Sequence, residues 1–398
     1  MKALKNIRVL DLSRFQAGPV CGMLLGDMGA DVIRIEEIGG APDRTWGLLG
    51  SDGETLMCKI TGRSRRAVTL NINTDEGRKI FKQLVKQSDV VLHNYPPGTS
   101  LNEQLMRYAY LKRINPKIIV GAVSGFGQTG PDKKLVCFDH VVQARSGSLL
   151  LTGFPNCPPL KTTITYNDIS SALFTTIGII TALYHRERTG KGQFIDVALF
   201  DTATFYTQMM GALLLYEVYG EIRIKVGNKG FHAYVGIFET KDKEWIVICA
   251  ATNPIWKRLT RAIGREDMAN DPRFGKNDMV RFNNAKEIDG VIGEWMLKRT
   301  AEEALELLQS ARVPCGIVNT VDKLINDPQV KARDMIQHVT YPELGELSLP
   351  GFPFKMSLTP GGINSRAPRV GEHNEEIYSG LLGFSKRKLS QLKSKGII

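Results

Sequence analysis

The chain has 398 residues, of which 42% are hydrophobic and 23% charged, and its formal net charge is +11. That length and balance fit a soluble globular protein with one large domain or two ordinary ones. The six cysteines form no CxxC pair and no Cys/His metal spacing, and no apolar stretch is long enough to span a bilayer. The first residues lack the apolar run of a secretion signal, so the reading is a cytoplasmic protein with reduced thiols. The positive charge favours an anionic partner; nucleic acid, a phosphorylated small molecule and plain solubility are all compatible with charge alone.

A β-branched run over residues 7–12 predicts a strand, residues 19–28 carry helical spacing, and residues 31–36 return to apolar alternation. Thr74 is placed to cap a helix running through Lys86, and residues 90–93 and 118–124 read as further strands. Strand, helix and strand in repetition predict a parallel sheet covered by helices. Residues 168–185 read as one mostly apolar helix that should be buried. A polar turn over 186–193, a strand over 194–199 and a second apolar helix opened by Asp201 follow. Near residue 222 the character changes: residues 234–238 and 245–249 predict an antiparallel pair, and helices dominate from Pro254 to about residue 310. Pro314-Cys315-Gly316 marks a return to strand, and the tail from Gly371 is helical and charged. The expected division is a large domain over residues 1–221, a smaller one over 222–316, and residues 317–398 returning to the first.

Gly125-Phe126-Gly127-Gln128-Thr129-Gly130 has GxGxxG spacing after a strand. A dinucleotide fingerprint needs a helix at once, whereas Pro131-Asp132-Lys133-Lys134 predicts a loop, so a glycine-rich loop near a substrate is expected. Thr189-Gly190-Lys191-Gly192-Gln193 lacks phosphate-loop spacing and reads as a tight helix-to-strand turn. Asp168 precedes an apolar helix, where aspartate is a favoured N-cap. A helix N-terminus stabilises a carboxylate by about 0.3–1 kcal/mol, which would keep Asp168 ionised and able to attack a carbonyl. Gln16 follows the first strand, and in open α/β sheets ligands bind outside the carboxyl ends of the strands. An amide there can hold substrate or donate to an oxyanion, although an ordinary loop glutamine is the simpler reading of Gln16 alone. The six histidines are scattered, no GxSxG elbow occurs, and His373 reads as an exposed or capping residue. Arg63-Ser64-Arg65-Arg66 is either a solvated face or a phosphate contact.

Short motifs recur along essentially the whole chain. They are Val9-Leu10-Asp11-Leu12, Gln16-Ala17-Gly18-Pro19, Gly29-Ala30-Asp31-Val32-Ile33-Arg34-Ile35-Glu36, Asn115-Pro116-Lys117 and the stretch 124–131. Further on come the stretch 188–193 with Asp196-Val197, then Val313-Pro314-Cys315-Gly316, then Gly371-Glu372-His373. In this order they resemble the class III CoA-transferase family, which includes formyl-CoA transferase, carnitine CoA-transferase, benzylsuccinate CoA-transferase and related α-methylacyl-CoA racemases. The resemblance implies an α/β fold: a large Rossmann-like domain with a parallel sheet, built from both chain ends, plus a smaller α+β domain, in an intertwined dimer. It implies transfer of CoA from an acyl-CoA donor, succinyl-CoA among the candidates, to a carboxylic acid through an aspartyl-CoA thioester.

By the same resemblance Asp168 is the nucleophile and Gln16 lies beside the thioester. Asp139 falls on a nearby acidic position, and Ala17, Leu70, Asn73, Asn94 and Tyr95 fall on the CoA site. Gly227-Asn228-Lys229-Gly230 corresponds to a mobile glycine-rich loop. CoA is then a substrate, with no permanently bound cofactor and no metal. The implied partners are acyl-CoA, a carboxylic acid and a second copy of the chain, with a related subunit as the alternative; nucleic acid and membrane are not among them. Two departures from the family matter, one at the racemase histidine and one in the CoA arginines. Phe138 stands where the racemases have a histidine, which argues for transfer over racemisation. Glu37 stands where formyl-CoA transferase has an arginine for CoA, and the arginine expected near Asn102 or Glu103 is absent, so phosphate contacts are expected from Arg34, Arg65 or Arg66.

Overall fold

Six parallel strands, in the order β3-β2-β1-β4-β5-β6, form the central sheet: β1 (Arg8–Asp11), β2 (Asp31–Glu36), β3 (Arg66–Thr69), β4 (Val90–His93), β5 (Ile119–Ser124) and β6 (Phe194–Ala198). The computed structural model describes residues 2–230 and 233–398, so His232 lies outside the described residues. Every residue of β4 and β5 is buried, as expected of parallel strands covered by helices on both faces. Val9 pairs with Val32 on one side and with Val90 on the other, so β1 is where the strand order reverses. That reversal opens a crevice at the carboxyl ends of β1 and β4.

The covering helices are α1 (Ala17–Asp27), α2 (Leu56–Thr61), α3 (Asp75–Lys86), α4 (Tyr108–Ile114), α5 (Asp139–Arg145), α6 (Tyr166–Thr189) and α7 (Leu199–Met209). Successive strand side chains alternate between faces. Leu10, Ile33, Val68 and Val91 pack with Ile80, Phe81 and Leu84 of α3, while Val9, Val32, Val90 and Ile119 pack with α1 and α6. Each such fully buried side chain contributes about 1.5–3 kcal/mol of transfer free energy. Thr74 caps α3 as expected, its Oγ1 accepting from the Gly77 amide at 3.0 Å. At Gly26 of α1 a Cβ would come within 2.3 Å of the Ser64 carbonyl oxygen, so only glycine allows this approach.

Two helical expectations need correction. α6 begins at Tyr166 and continues to Thr189, ending at Gly190 with φ of 71°, so the glycine there is a left-handed cap. The helix is also not buried all round. Ala172, Ile179 and Ala182 face the sheet, but Ile169, Leu173, Phe174, Ile177, Ile180 and Tyr184 are exposed in the single chain. A helix apolar on two faces needs two partners, and the sheet supplies one.

The chain divides into two units. The large one comprises residues 1–147, 163–211 and 328–398; the small one comprises residues 148–162 and 212–327. The small unit thus starts at Ala212 rather than near residue 222, ends at Asp327 rather than 316, and includes the excursion over 148–162. Its antiparallel sheet, β7 (Val235–Glu239), β8 (Trp245–Cys249) and β9 (Cys315–Ile317), packs with Trp256, Leu259, Ile288, Ile292 and Leu308 from its helices.

The C-terminal part of the large unit holds the antiparallel ribbon β10 (Ile336–Tyr341) and β11 (Gly345–Pro350), then helices Asn374–Gly380 and Lys386–Ser394. This tail protects the sheet edge. The Ala67 amide donates to His373 Nδ1 at 3.2 Å, the Thr69 amide donates to Asn374 Oδ1 at 2.9 Å, and Tyr378 Oη donates to the Thr69 carbonyl at 2.7 Å. Side chains thereby replace a further strand, which is how an edge avoids pairing with another molecule. Burial lowers the His373 pKa and favours the neutral ring that this acceptor role requires.

Candidate active site

The site begins where β1 ends. Asp11, fully buried, pairs with Arg65 at 2.7 Å and accepts from the Ser13 amide at 2.9 Å, which folds residues 12–16 back over the sheet. Asn94, just beyond β4, accepts from the Arg14 amide at 3.0 Å and donates to the Arg14 carbonyl at 2.7 Å. The next residue, Phe15, has φ of 66°, an unusual conformation for a bulky side chain that this clamp helps to hold. Gln16 then sits immediately before α1, and its Oε1 accepts from Thr165 Oγ1 at 2.8 Å. Thr165 is the residue preceding α6, so this bond ties the loop after β1 to the start of the helix that carries Asp168.

Asp168 is the third residue of α6 and does not cap it. Asp139, the first residue of α5 and 2% exposed, takes that role from elsewhere in the chain. Its Oδ2 accepts from the Asn167 amide at 2.8 Å and the Asp168 amide at 3.2 Å, and Gln143 holds its other oxygen. The consequence for Asp168 reverses the expectation that the helix N-terminus keeps it ionised. The amides of the first turn are satisfied by Asp139, and burial, reinforced by the Asp139 charge, raises the Asp168 carboxyl to about 7. The result is a basic carboxylate when deprotonated, poised near neutral pH. The neighbouring Cys137 thiol is pushed up to about 11 by burial and by Asp168 and Asp139, so it stays protonated beside the two acids.

Residues flanking Gln16 and Asp139 form an aromatic cluster. Phe15 lies 5.5 Å from Trp46 and 5.7 Å from Phe138, ring centroid to centroid, and Trp46 stacks on Phe138 at 6.0 Å. Trp46 is 62% exposed, an apolar surface of the kind that meets a ligand.

A cleft of about 230 Å³ lies at the carboxyl ends of the strands, lined among others by Leu12, Arg14, Glu37, Leu70, Asn73 and Tyr95. Leu70, Asn73 and Tyr95 were expected at a CoA site. Asn94 stands behind the cleft as the clamp on Arg14, and Ala17 is buried in the first turn of α1. Arg34 and Arg65 are buried against acids rather than lining the cleft. Arg34 donates to both Asp43 oxygens at 2.7 Å and Arg65 is bound to Asp11, each guanidinium neutralising carboxylates inside the unit. Arg66 pairs with Asp31 at 2.5 Å and with Glu376 at 2.6 Å. Sequence reading passed over Arg14, although it stands two residues before Gln16; nothing local distinguishes it from a loop cation.

The glycine-rich loop after β5 is followed by turns, and α5 begins only at Asp139, which removes the geometry of a dinucleotide fingerprint. Asp196 of β6 accepts from the Gln128 amide at 2.9 Å, and Asn102 donates to Gln128 Oε1 at 3.0 Å and to the Tyr95 carbonyl at 2.7 Å, linking this loop to the cleft wall. In the small unit, Gly227 has φ of 69° and its amide donates to the Gly153 carbonyl at 3.0 Å.

A parallel sheet with a cleft at its switch point, and a buried and a half-buried carboxylate at one helix N-terminus, are the features of an α/β enzyme. The chain belongs to CoA-transferase family III, whose sequence model matches residues 4–374. It is similar to the succinyl-CoA–D-citramalate CoA-transferase of Chloroflexus aurantiacus, 36% identical over 399 residues that cover 100% of this chain and 98% of that protein. The succinyl-CoA–L-malate CoA-transferase beta subunit of the same organism is 35% identical, over 99% of this chain and 98% of that subunit. Among solved structures, a CAIB/BAIF family protein from Brucella suis matches with a TM-score of 0.84 and 31% identity, covering 96% of this chain and 99% of that one. The protein is a CoA-transferase, and its substrates are CoA thioesters.

Proposed function

We propose that the enzyme moves CoA from a succinyl-CoA-type donor to a hydroxy dicarboxylic acid of the malate or citramalate kind, through a thioester on Asp168. The donor and acceptor classes come from the names of the two relatives above. The observation that carries the covalent route is the half-buried Asp168 carboxyl, raised first by burial and then by the Asp139 charge, and set beside the Gln16–Thr165 link.

The Asp168 carboxylate attacks the thioester carbonyl; the tetrahedral oxyanion collapses, the carbon–sulfur bond breaks, and a mixed anhydride and CoA thiolate form. The thiolate adds to the aspartyl carbonyl, releasing the donor acid and leaving the aspartyl-CoA thioester. The acceptor carboxylate then attacks this thioester, giving a second anhydride and the thiolate. The thiolate adds to the acceptor's acyl carbon, which regenerates the Asp168 carboxylate. Gln16 supplies oxyanion stabilisation: with Oε1 engaged by Thr165, its amide N–H groups remain to donate. The Phe15–Trp46–Phe138 cluster supplies an apolar wall that limits hydrolysis of the thioester. Phe138 has no titratable group at the place where the racemases have a histidine, which supports transfer over racemisation.

The exposed apolar face of α6 is assigned to a second copy of the chain, making the working form a homodimer. No helix of the described residues is long and apolar enough to cross a membrane. The cytoplasm, and CoA as a substrate with no resident cofactor, belong to the same proposal. The test is Asp168→Asn, which removes the nucleophile and keeps the shape. Transfer should fall by at least about 1,000-fold with the circular dichroism spectrum unchanged. Substantial retained turnover would sink the covalent assignment.

A further inference from the structure

The cleft at the ends of β1 to β4 has an unexpected charge balance. Its wall carries three charged side chains, Arg14, Glu36 and Glu37. Glu36 is buried and committed to Arg34 at 3.0 Å and Arg44 at 2.7 Å. Arg14 is the only cation lining the cleft among the described residues, and Glu37 forms an ion pair with it. Arg14 is also restrained, because Asn94 holds its backbone amide and carbonyl and its guanidinium lies 5.2 Å from the centre of the Tyr95 ring. The cleft therefore presents no uncompensated positive charge.

The other lining groups are apolar (Leu12, Ile35, Ile38 and Leu70 among them) or neutral amides such as Asn71 and Asn73. Such walls suit a purine base and a sugar. Glu37 follows directly on β2, with 58% of its side chain exposed. In sheets of this strand order, an acid after the second strand accepts from ribose hydroxyls, whereas an arginine there accommodates a phosphate on the ribose. A phosphate placed here would meet a carboxylate and a guanidinium already neutralised by it.

Resting on the transferase reading, we propose that this cleft holds the adenosine of the CoA thioester with Glu37 facing the ribose, and that the Arg14–Glu37 pair leaves the 3′-phosphate unread. The enzyme then takes thioesters of CoA and of 3′-dephospho-CoA alike. A charge-assisted contact between arginine and phosphate would otherwise give about a 10- to 100-fold preference for CoA.

Calorimetric titration of the full chain with CoA and with 3′-dephospho-CoA tests this directly. The two dissociation constants should agree within about threefold. Glu37→Gln releases Arg14 and should favour CoA over 3′-dephospho-CoA by about tenfold. Adding Arg14→Gln to that variant should return the ratio to near unity. A preference for CoA of about tenfold or more in the unaltered protein, or a ratio that Glu37→Gln does not move, would overturn the proposal, as would failure of both ligands to bind. Transfer assays separate this inference from the reading it rests on. Turnover of succinyl-CoA but not of succinyl-3′-dephospho-CoA overturns the inference alone. Equal binding of both ligands with no transfer from either thioester overturns the transferase mechanism and supports the cleft assignment.

Discussion

Buried acids occupy two regions of the large unit, and they are treated in opposite ways. Beneath the loops after β1 and β2, each has a guanidinium: Asp11 has Arg65 at 2.7 Å, Asp27 has Arg63 at 2.8 Å, and Glu36 lies between Arg34 and Arg44. Arg34 and Arg44 more than offset the burial of Glu36 and hold its carboxyl below the usual range. At the start of α6 no such partner occurs among the described residues. Asp139 takes backbone amides, and Asp168 lies beside that negative charge with its carboxyl raised to about 7. The acids of the scaffold are neutralised, whereas the one proposed to react is left basic, at a cost to stability.

The largest expected effect that separates the two regions comes from removing an acid or its partner. Asp168→Asn should abolish transfer yet stabilise the protein in alkaline solution. The native carboxyl holds its proton up to about 7, against 3.8 for an ordinary aspartate, so the folded state binds more protons than the unfolded one between those values. Stability is therefore undiminished by this group in acid, falls as pH rises through that window and stays lower above it. The gain on substitution should approach at most about 4 kcal/mol at about pH 8 and vanish at about pH 3, as measured by urea unfolding. On the paired side, Arg65→Met leaves Asp11 buried without its partner. It should destabilise by about 3–5 kcal/mol in the same assay, the opposite sign to Asp168→Asn.

Smaller effects sharpen the comparison within the reactive region. Gln16→Ala should lower kcat by about 100-fold if its amide donates to the oxyanion. Thr165→Val, which frees the amide to rotate, should cost less, about 3- to 10-fold, with KM little changed. Asp139→Asn removes the charge facing Asp168, so the rising limb of kcat/KM against pH, expected near 7 in the unaltered enzyme, should move to lower pH. A limb that stays in place would show that burial alone sets the Asp168 carboxyl.

Five of the six strands of the sheet were legible as short apolar segments, marked in β5 by Ile119, Val120 and Val123; β3 was not, because its Arg66-Ala67-Val68-Thr69 follows directly on a basic stretch. The helix over 75–86 was legible down to its cap because Thr74 and Gly77 are neighbours in sequence. The start of α6 was not, because its capping acid comes from residue 139, outside any local window. For the same reason, Asp168 looked like a cap and proved to be a carboxyl without one. Arg34 and Arg65 were expected to contact phosphate because the family's arginines are missing at Glu37 and near Asn102, whereas Arg34 is held by Asp43 and Arg65 by Asp11, which the fold brings from 54 residues away. Asp168 and Gln16 were named through the family resemblance; the Thr165 hydroxyl that joins their segments was not, since only the fold brings residues 16 and 165 together.

The central claim is a covalent thioester on Asp168, and the direct measurement is mass spectrometry of the enzyme incubated with succinyl-CoA and quenched with hydroxylamine. The account predicts a hydroxamate on the peptide that carries Asp168, absent when CoA alone replaces the thioester and absent from Asp168→Asn. An unmodified Asp168 peptide recovered from enzyme that is actively turning over succinyl-CoA would contradict it.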